Sequence, residues 1–176
     1  MRGIRAIATA IALAAIAARA VAAHPAPAPL TDQRGLHFTL EDLRGHPTVL
    51  TFTSAHCTDA CPLINAQIAD AVAHERKVHG RLRFVTLSLD PQHDSLADLR
   101  RIANTFHADP SYWLIARGTP QRTRELMHQF GVTAAAYGAE IDHTTLLYIL
   151  DRDGNYAGAI LPTTHLVSQL TGSENL

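Results

Sequence analysis

Thr48-Val49-Leu50-Thr51-Phe52-Thr53-Ser54-Ala55-His56-Cys57-Thr58-Asp59-Ala60-Cys61-Pro62 is the stretch that decides the fold. Thr48 to Thr53 is β-branched or apolar at every position, the composition of a strand buried on both faces. Pro62 then opens a helix at a position where its missing N–H costs nothing. Ile64, Ile68 and Val72 recur on one face of that helix, and Gly80 closes it. The only two cysteines of the 176 residues therefore lie on a strand-to-helix turn. Unpaired backbone N–H groups at a helix N-terminus favour thiolate, which is both a nucleophile and a soft metal ligand. Residues four apart on a regular helix hold their Cβ atoms ~5–6 Å apart, whereas a disulfide needs ~3.8 Å. Cys57 is thus expected in the turn and Cys61 beside the first helical residue. That placement permits two thiolates on one metal ion, or a reversible bridge. A bridge closing so short a loop removes little chain entropy and is a poor structural staple. The three-residue gap departs from the two-residue gap of the common thiol-redox motif, which tilts the reading towards a metal.

Outward from this stretch, strand and helix patterns alternate. His37 to Gly45 reads as a short strand and turn. Leu82 to Leu89 is a second β-rich run, ending at Asp90-Pro91. Asp94 or Ser95 caps the next helix, whose inner face is Leu99, Ile102, Ala103 and Phe106. Tyr112 to Ala116 is a third strand, with Tyr112 and Trp113 read as core. Thr119-Pro120 opens a helix with Leu126, Met127 and Phe130 facing inward, and Gly131 ends it. Thr133 to Ile141 is Ala-rich without periodicity and reads as a loop. Thr144 to Leu150, the Asp151-to-Asn155 turn and Tyr156 to Leu161 form a closing hairpin, followed by a short helix over Thr164 to Leu170. The expected domain, residues 35–176, is α/β: a mixed sheet flanked by helices on both faces, with an N-terminal strand extension and a C-terminal β-hairpin. Thiols on the first strand-to-helix turn make it thioredoxin-like.

Residues 1–22 have the pattern of a secretory signal peptide: Arg2 and Arg5, a 13-residue run from Ala6 to Ala18 that is apolar except for Thr9, and Ala20-Val21-Ala22 as the cleavage site. The run is shorter than the ~20 residues that span a bilayer, so a retained anchor is the weaker reading. A Pro/Ala-rich linker is expected over residues 23–34. Removing the leader's three arginines from fifteen basic residues, against sixteen acidic ones, leaves a net charge of −4. No basic block exceeds two residues, which excludes an extended nucleic-acid interface. Export implies the periplasm, an oxidising compartment.

Two thiolates need a third donor. Among eleven histidines the candidate is His143, at the mouth of the strand that opens the closing hairpin. Soft S,S,N donation suits Cu(I). Zinc would want a fourth ligand, for which His56 and Asp59 are candidates. Asp142 is a candidate hydrogen-bond partner for the His143 ring. Asp90 is read mainly as a turn residue, with orientation of the site as the alternative.

Three stretches together resemble the Sco/SenC family: Thr53 to Pro62, Leu87 to Asp94, and Asp142 to Thr145 with Asp151 to Gly154. The resemblance implies a thioredoxin-fold copper-delivery protein that helps assemble the copper A centre of cytochrome c oxidase. It implies that Cys57, Cys61 and His143 bind copper, as Cu(I) with Cu(II) also open, and that the same thiols can reduce the target's cysteines. The implied partners are cytochrome c oxidase subunit II or another exported copper protein, with a second copper chaperone or a thiol reductant upstream. A metallochaperone is favoured over a turnover enzyme. The alternatives are a periplasmic thiol–disulfide reductase without a lasting metal, and a peroxide-reducing enzyme for which only the thiol pair speaks.

Overall fold

The computed structural model describes residues 27–57, 60–137, 140–163 and 165–171. The expected signal peptide lies outside the described residues, as do Thr58 and Asp59. The strands are β1 (Leu30–Asp32), β2 (His37–Phe38), β3 (Thr48–Thr53), β4 (Arg83–Ser88), β5 (Trp113–Arg117), β6 (Ala134–Tyr137), β7 (Glu140–His143), β8 (Leu147–Leu150) and β9 (Tyr156–Ile160). The helices are α1 (Ala60–Val78), α2 (Leu96–Thr105), α3 (Pro120–Phe130) and α4 (Leu166–Thr171), with a 3-10 turn at Leu40–Leu43. Seven strands form one sheet in the order β2-β1-β5-β4-β3-β8-β9. β3, β4 and β5 run parallel, while β1 and β8 join them antiparallel. Parallel neighbours need long crossovers, and α1 and α2 supply them. β6 and β7 form a separate hairpin.

The period-two geometry of the strands divides the core. Val49 and Phe84 face one cluster, with Ile64, Ile68, Val72, Leu99, Ile102 and Leu166 from α1, α2 and α4. Leu50, Phe52, Val85 and Leu87 face the other, with Leu126 and Phe130 from α3. Every residue of β3 is buried, as its unbroken β-rich run requires. Trp113 is fully buried, and its indole N–H donates to Thr86 Oγ1 at 3.0 Å, so no donor is left unsatisfied. Ser95 caps α2 by accepting from the Asp98 N–H, and the Asp98 carboxylate returns the contact to the Ser95 N–H. Hydrogen bonds from the Ser95 side chain and backbone hold the Asp98 carboxyl down to about 2. Gly131 closes α3 in the left-handed region, at φ 67°. No described helix is long and apolar enough to cross a membrane.

Two expectations are corrected. The linker expected over residues 23–34 already contains a strand, so the sheet begins at Leu30 rather than at residue 35. Three residues are too few to show a periodic pattern. Tertiary contacts hold them: Leu30 is buried, and the Asp32 carboxylate accepts from the Arg34 and Leu36 N–H groups and the Arg34 guanidinium. The Gln33 amide bridges β5, donating to Trp113 O and accepting from Ile115 N–H. The loop expected over Thr133 to Ile141 is instead the β6–β7 hairpin, with Ala134 opposite His143. Ala134 and Ala135 are exposed, so no buried face imposes an alternating pattern, and the backbone ladder alone defines the strand.

A thiol and an imidazole at the end of the central strand

β3 leaves the sheet at Thr53, and the chain turns at once. The Cys57 N–H donates to Ser54 O at 3.2 Å, and the His56 N–H reaches Ser54 Oγ at 3.3 Å. Cys57 is therefore in the turn, as its spacing predicts, and it is half-buried. Cys61 lies in the first turn of α1 and is 2% exposed. The two sulfurs are not joined in a disulfide.

His143 ends β7 and is carried to Cys61 by its hairpin. Its Nε2 stands 4.0 Å from Cys61 Sγ, across 82 residues of sequence. Its Nδ1 lies 3.0 Å from Thr144 O. A carbonyl oxygen only accepts, so Nδ1 carries the proton, and the lone pair of the neutral ring is on Nε2, facing the sulfur. Thr144 thus supplies the orienting contact expected of Asp142, whose side chain is outside the described structure. The base of the hairpin is tied across its strands, with Thr144 N–H donating to Thr133 O at 3.0 Å and the two hydroxyls 2.9 Å apart. Bonds of ~2.3 Å to sulfur and ~2.0 Å to nitrogen span about 4 Å at a wide angle, so Cys61 and His143 fit one ion between them. Among the described residues, no three His, Cys, Asp or Glu side chains stand close enough to hold a metal as they are. Cys61 and His143 are brought together; Cys57 precedes the undescribed residues 58 and 59. His56 points elsewhere, its Nε2 lying 3.8 Å from the Asp94 carboxylate.

Asp94 is the site residue that sequence reasoning missed. The sequence offers Asp94 or Ser95 as the cap of α2, and Ser95 takes that role. Asp94 is 1% exposed and sits beneath the thiol turn. Its two oxygens accept from the Ala55 N–H at 3.2 and 3.1 Å, and one accepts from the Ser88 hydroxyl at 2.6 Å. On the other side of the same residue, Arg101 Nη2 donates to Ala55 O at 3.1 Å. α2 and the loop before it therefore grip Ala55 at both its N–H and its C=O, two residues before Cys57. The signal for it is the second Asp of the Asp-Pro-x-x-Asp stretch, Asp90 to Asp94. Asp90 is a partly exposed turn residue paired with His93 at 2.7 Å.

Burial pushes the Asp94 carboxyl above its ordinary value of 3.8, although the Ser88 and Ala55 hydrogen bonds oppose the shift. A raised folded-state pKa means that the folded protein binds this proton more tightly than the unfolded chain. The Asp94 contribution to stability is thus fullest below the unfolded value. It declines as pH rises through the folded value. Asp94→Ala is expected to lower the unfolding free energy by about 2 kcal/mol through the lost hydrogen bonds. The gap from wild type should narrow as pH is raised through that window. Urea unfolding at several pH values measures both; a gap that widens with pH would contradict the assignment.

A family model described as SCO1/SenC matches residues 18–172. The SCO2-like protein RP587 of Rickettsia prowazekii is 28% identical over 139 residues, covering 74% of this chain and 65% of the relative. The chain therefore spans just under two thirds of that relative's length. The structure of Bradyrhizobium japonicum ScoI with copper bound superposes with a TM-score of 0.69 at 26% identity, covering 85% of this chain and 98% of that one. BsSco, described as a disulfide-switch member of the Sco family of cytochrome c oxidase assembly proteins, gives a TM-score of 0.70 at 20% identity, covering 85% and 92%. That identity shows the shared fold alone. With the family model matching nearly the whole chain and the thioredoxin-like architecture in place, the chain belongs to the SCO1/SenC family.

Proposed function

We propose that this protein binds copper through Cys57, Cys61 and His143. In this reading it delivers the metal to the copper A centre of cytochrome c oxidase, or keeps that centre's cysteines reduced. The observation that carries the reading is the 4.0 Å approach of His143 Nε2 to Cys61 Sγ, with Nδ1 engaged by Thr144 O. A reductase has no need of an imidazole whose lone pair faces its buried thiol. Two soft sulfurs and one imidazole match Cu(I). The copper-bound Bradyrhizobium relative supports the choice of metal, and membership of the SCO1/SenC family supports the target. Residues 1–22 act as a cleaved export signal, and the mature chain works in the periplasm.

A second reading has its own observation. Cys57 is the more exposed thiol and Cys61 the buried one. An accessible thiol that attacks and a shielded one that resolves would suit disulfide exchange. Forming the Cys57–Cys61 bridge releases two electrons and two protons, which a target disulfide accepts as two thiols. Anaerobic titration of protein from periplasmic extract tests the main reading. Mass spectrometry should first give a mature chain starting at Ala23. Reduced protein should then take up one Cu(I) per chain, and protein oxidised to the bridge none. Equal uptake by both forms would refute a site built on the thiols.

A further inference from the structure

A polar cleft lies away from the thiols. It is enclosed by the Leu40–Leu43 turn, Arg44, α3 and the end of β8, and has a volume of about 60 Å³. Leu150 in its wall pairs with Thr48, the first residue of β3, whereas Cys57 follows the last. The cleft is therefore at the opposite end of the central strand. Its walls carry Arg44, Arg122 and Gln129 beside the apolar surfaces of Phe130 and Leu150.

Arg122 is the informative residue. Its side chain is only 11% exposed, yet its ion pair with the exposed Glu125 is long, at 3.4 Å from Nη1 to Oε2. Its Nε is buried without a hydrogen-bond partner among the described residues. A guanidinium has five donors, and withdrawing it from water without matching acceptors is costly. Glu41 also lines the cleft, but among the described residues it forms no ion pair with either arginine. The charged lining residues thus sum to one net positive charge. Arg44 runs alongside Gly154, where an added Cβ would stand 3.6 Å from its Cγ and Nε.

We propose that this cleft binds a carboxylate, with Arg122 and Arg44 as its cationic partners and Phe130 and Leu150 against its short alkyl part. The planar guanidinium fork matches a carboxylate's two oxygens. The same chemistry is offered by a free short-chain acid and by a Glu side chain, so the probes are propionate and the peptide acetyl-Glu-Glu-amide. This site is independent of the copper reading.

The test is NMR titration of the full reduced protein at pH 7, with ionic strength held by chloride. Propionate should move the Arg122 Nε–H and Gly154 N–H signals saturably, and chloride should not. Arg122→Gln should weaken binding about tenfold or more, through loss of a charge-assisted contact. Glu41→Gln should strengthen it by removing the competing charge. If Arg122→Gln fails to fold, Arg44→Gln, at an exposed side chain, carries the same expectation of weaker binding. Saturation by propionate assigns a free acid as occupant; saturation by the peptide alone assigns an acidic side chain of a partner. Shifts that do not saturate with either probe, or unchanged binding by the folded arginine variants, would overturn the proposal. So would tighter binding of inorganic phosphate than of either carboxylate.

Discussion

Cys61→Ser is expected to abolish tight copper binding. Cys61 is buried at the start of α1, with its sulfur facing the His143 ring. Serine keeps the size of the side chain but replaces a soft, ionisable sulfur with a hard oxygen that Cu(I) disfavours. Altering a residue that merely supports a metal ligand lowers affinity about 10- to 100-fold, so removing a ligand should cost more than about 100-fold. The fold should survive, because the hydrophobic clusters on both sheet faces keep their aliphatic and aromatic members. Anaerobic competition against a Cu(I) chelator measures the loss, and a thermal melt checks the fold. A folded Cys61→Ser protein with wild-type stoichiometry and affinity would end the shared-site reading.

His143→Ala separates copper handling from simple thiol reduction. It leaves both thiols in place and removes the imidazole that faces Cys61. The β6–β7 backbone ladder and the Thr133–Thr144 contacts do not depend on that ring, so the hairpin should persist. As for any lost ligand, copper affinity should fall by more than about 100-fold, while the rate of disulfide exchange with a small thiol should change little. Neutral imidazole is the ligand form, so in the wild type acid should weaken binding by competing at this nitrogen as well as at the thiolates. Part of that pH dependence should disappear in His143→Ala. Unchanged copper affinity together with lost exchange activity would reverse the ranking of the two readings.

The thiol turn was legible because each part is encoded locally. Thr48 to Thr53 has the composition of a two-face-buried strand, Pro62 marks the first turn of α1 though the helix already includes Ala60, and the spacing of the cysteines keeps them off a common regular helix. The two main helix caps were legible for the same reason: Thr119-Pro120 and Ser95 act on backbone N–H groups within a few residues. The candidacy of His143 came from chemistry and family resemblance, not from any local pattern.

Composition, periodicity and capping by themselves determined an α/β domain with a thiol-bearing turn on its first parallel strand, because these signals act over a few residues. Only the tertiary structure decided what lies beyond that range. It drew Leu30–Asp32 into the sheet through Gln33 and a buried Asp32, and it made a hairpin of the Ala-rich segment that carries His143. It also placed Asp94 beneath Ala55, where burial turned a candidate helix cap into a brace for the thiol loop. These arrangements join groups from distant parts of the chain. Their energies come from desolvation and hydrogen-bond geometry, which exist only once the sheet has formed.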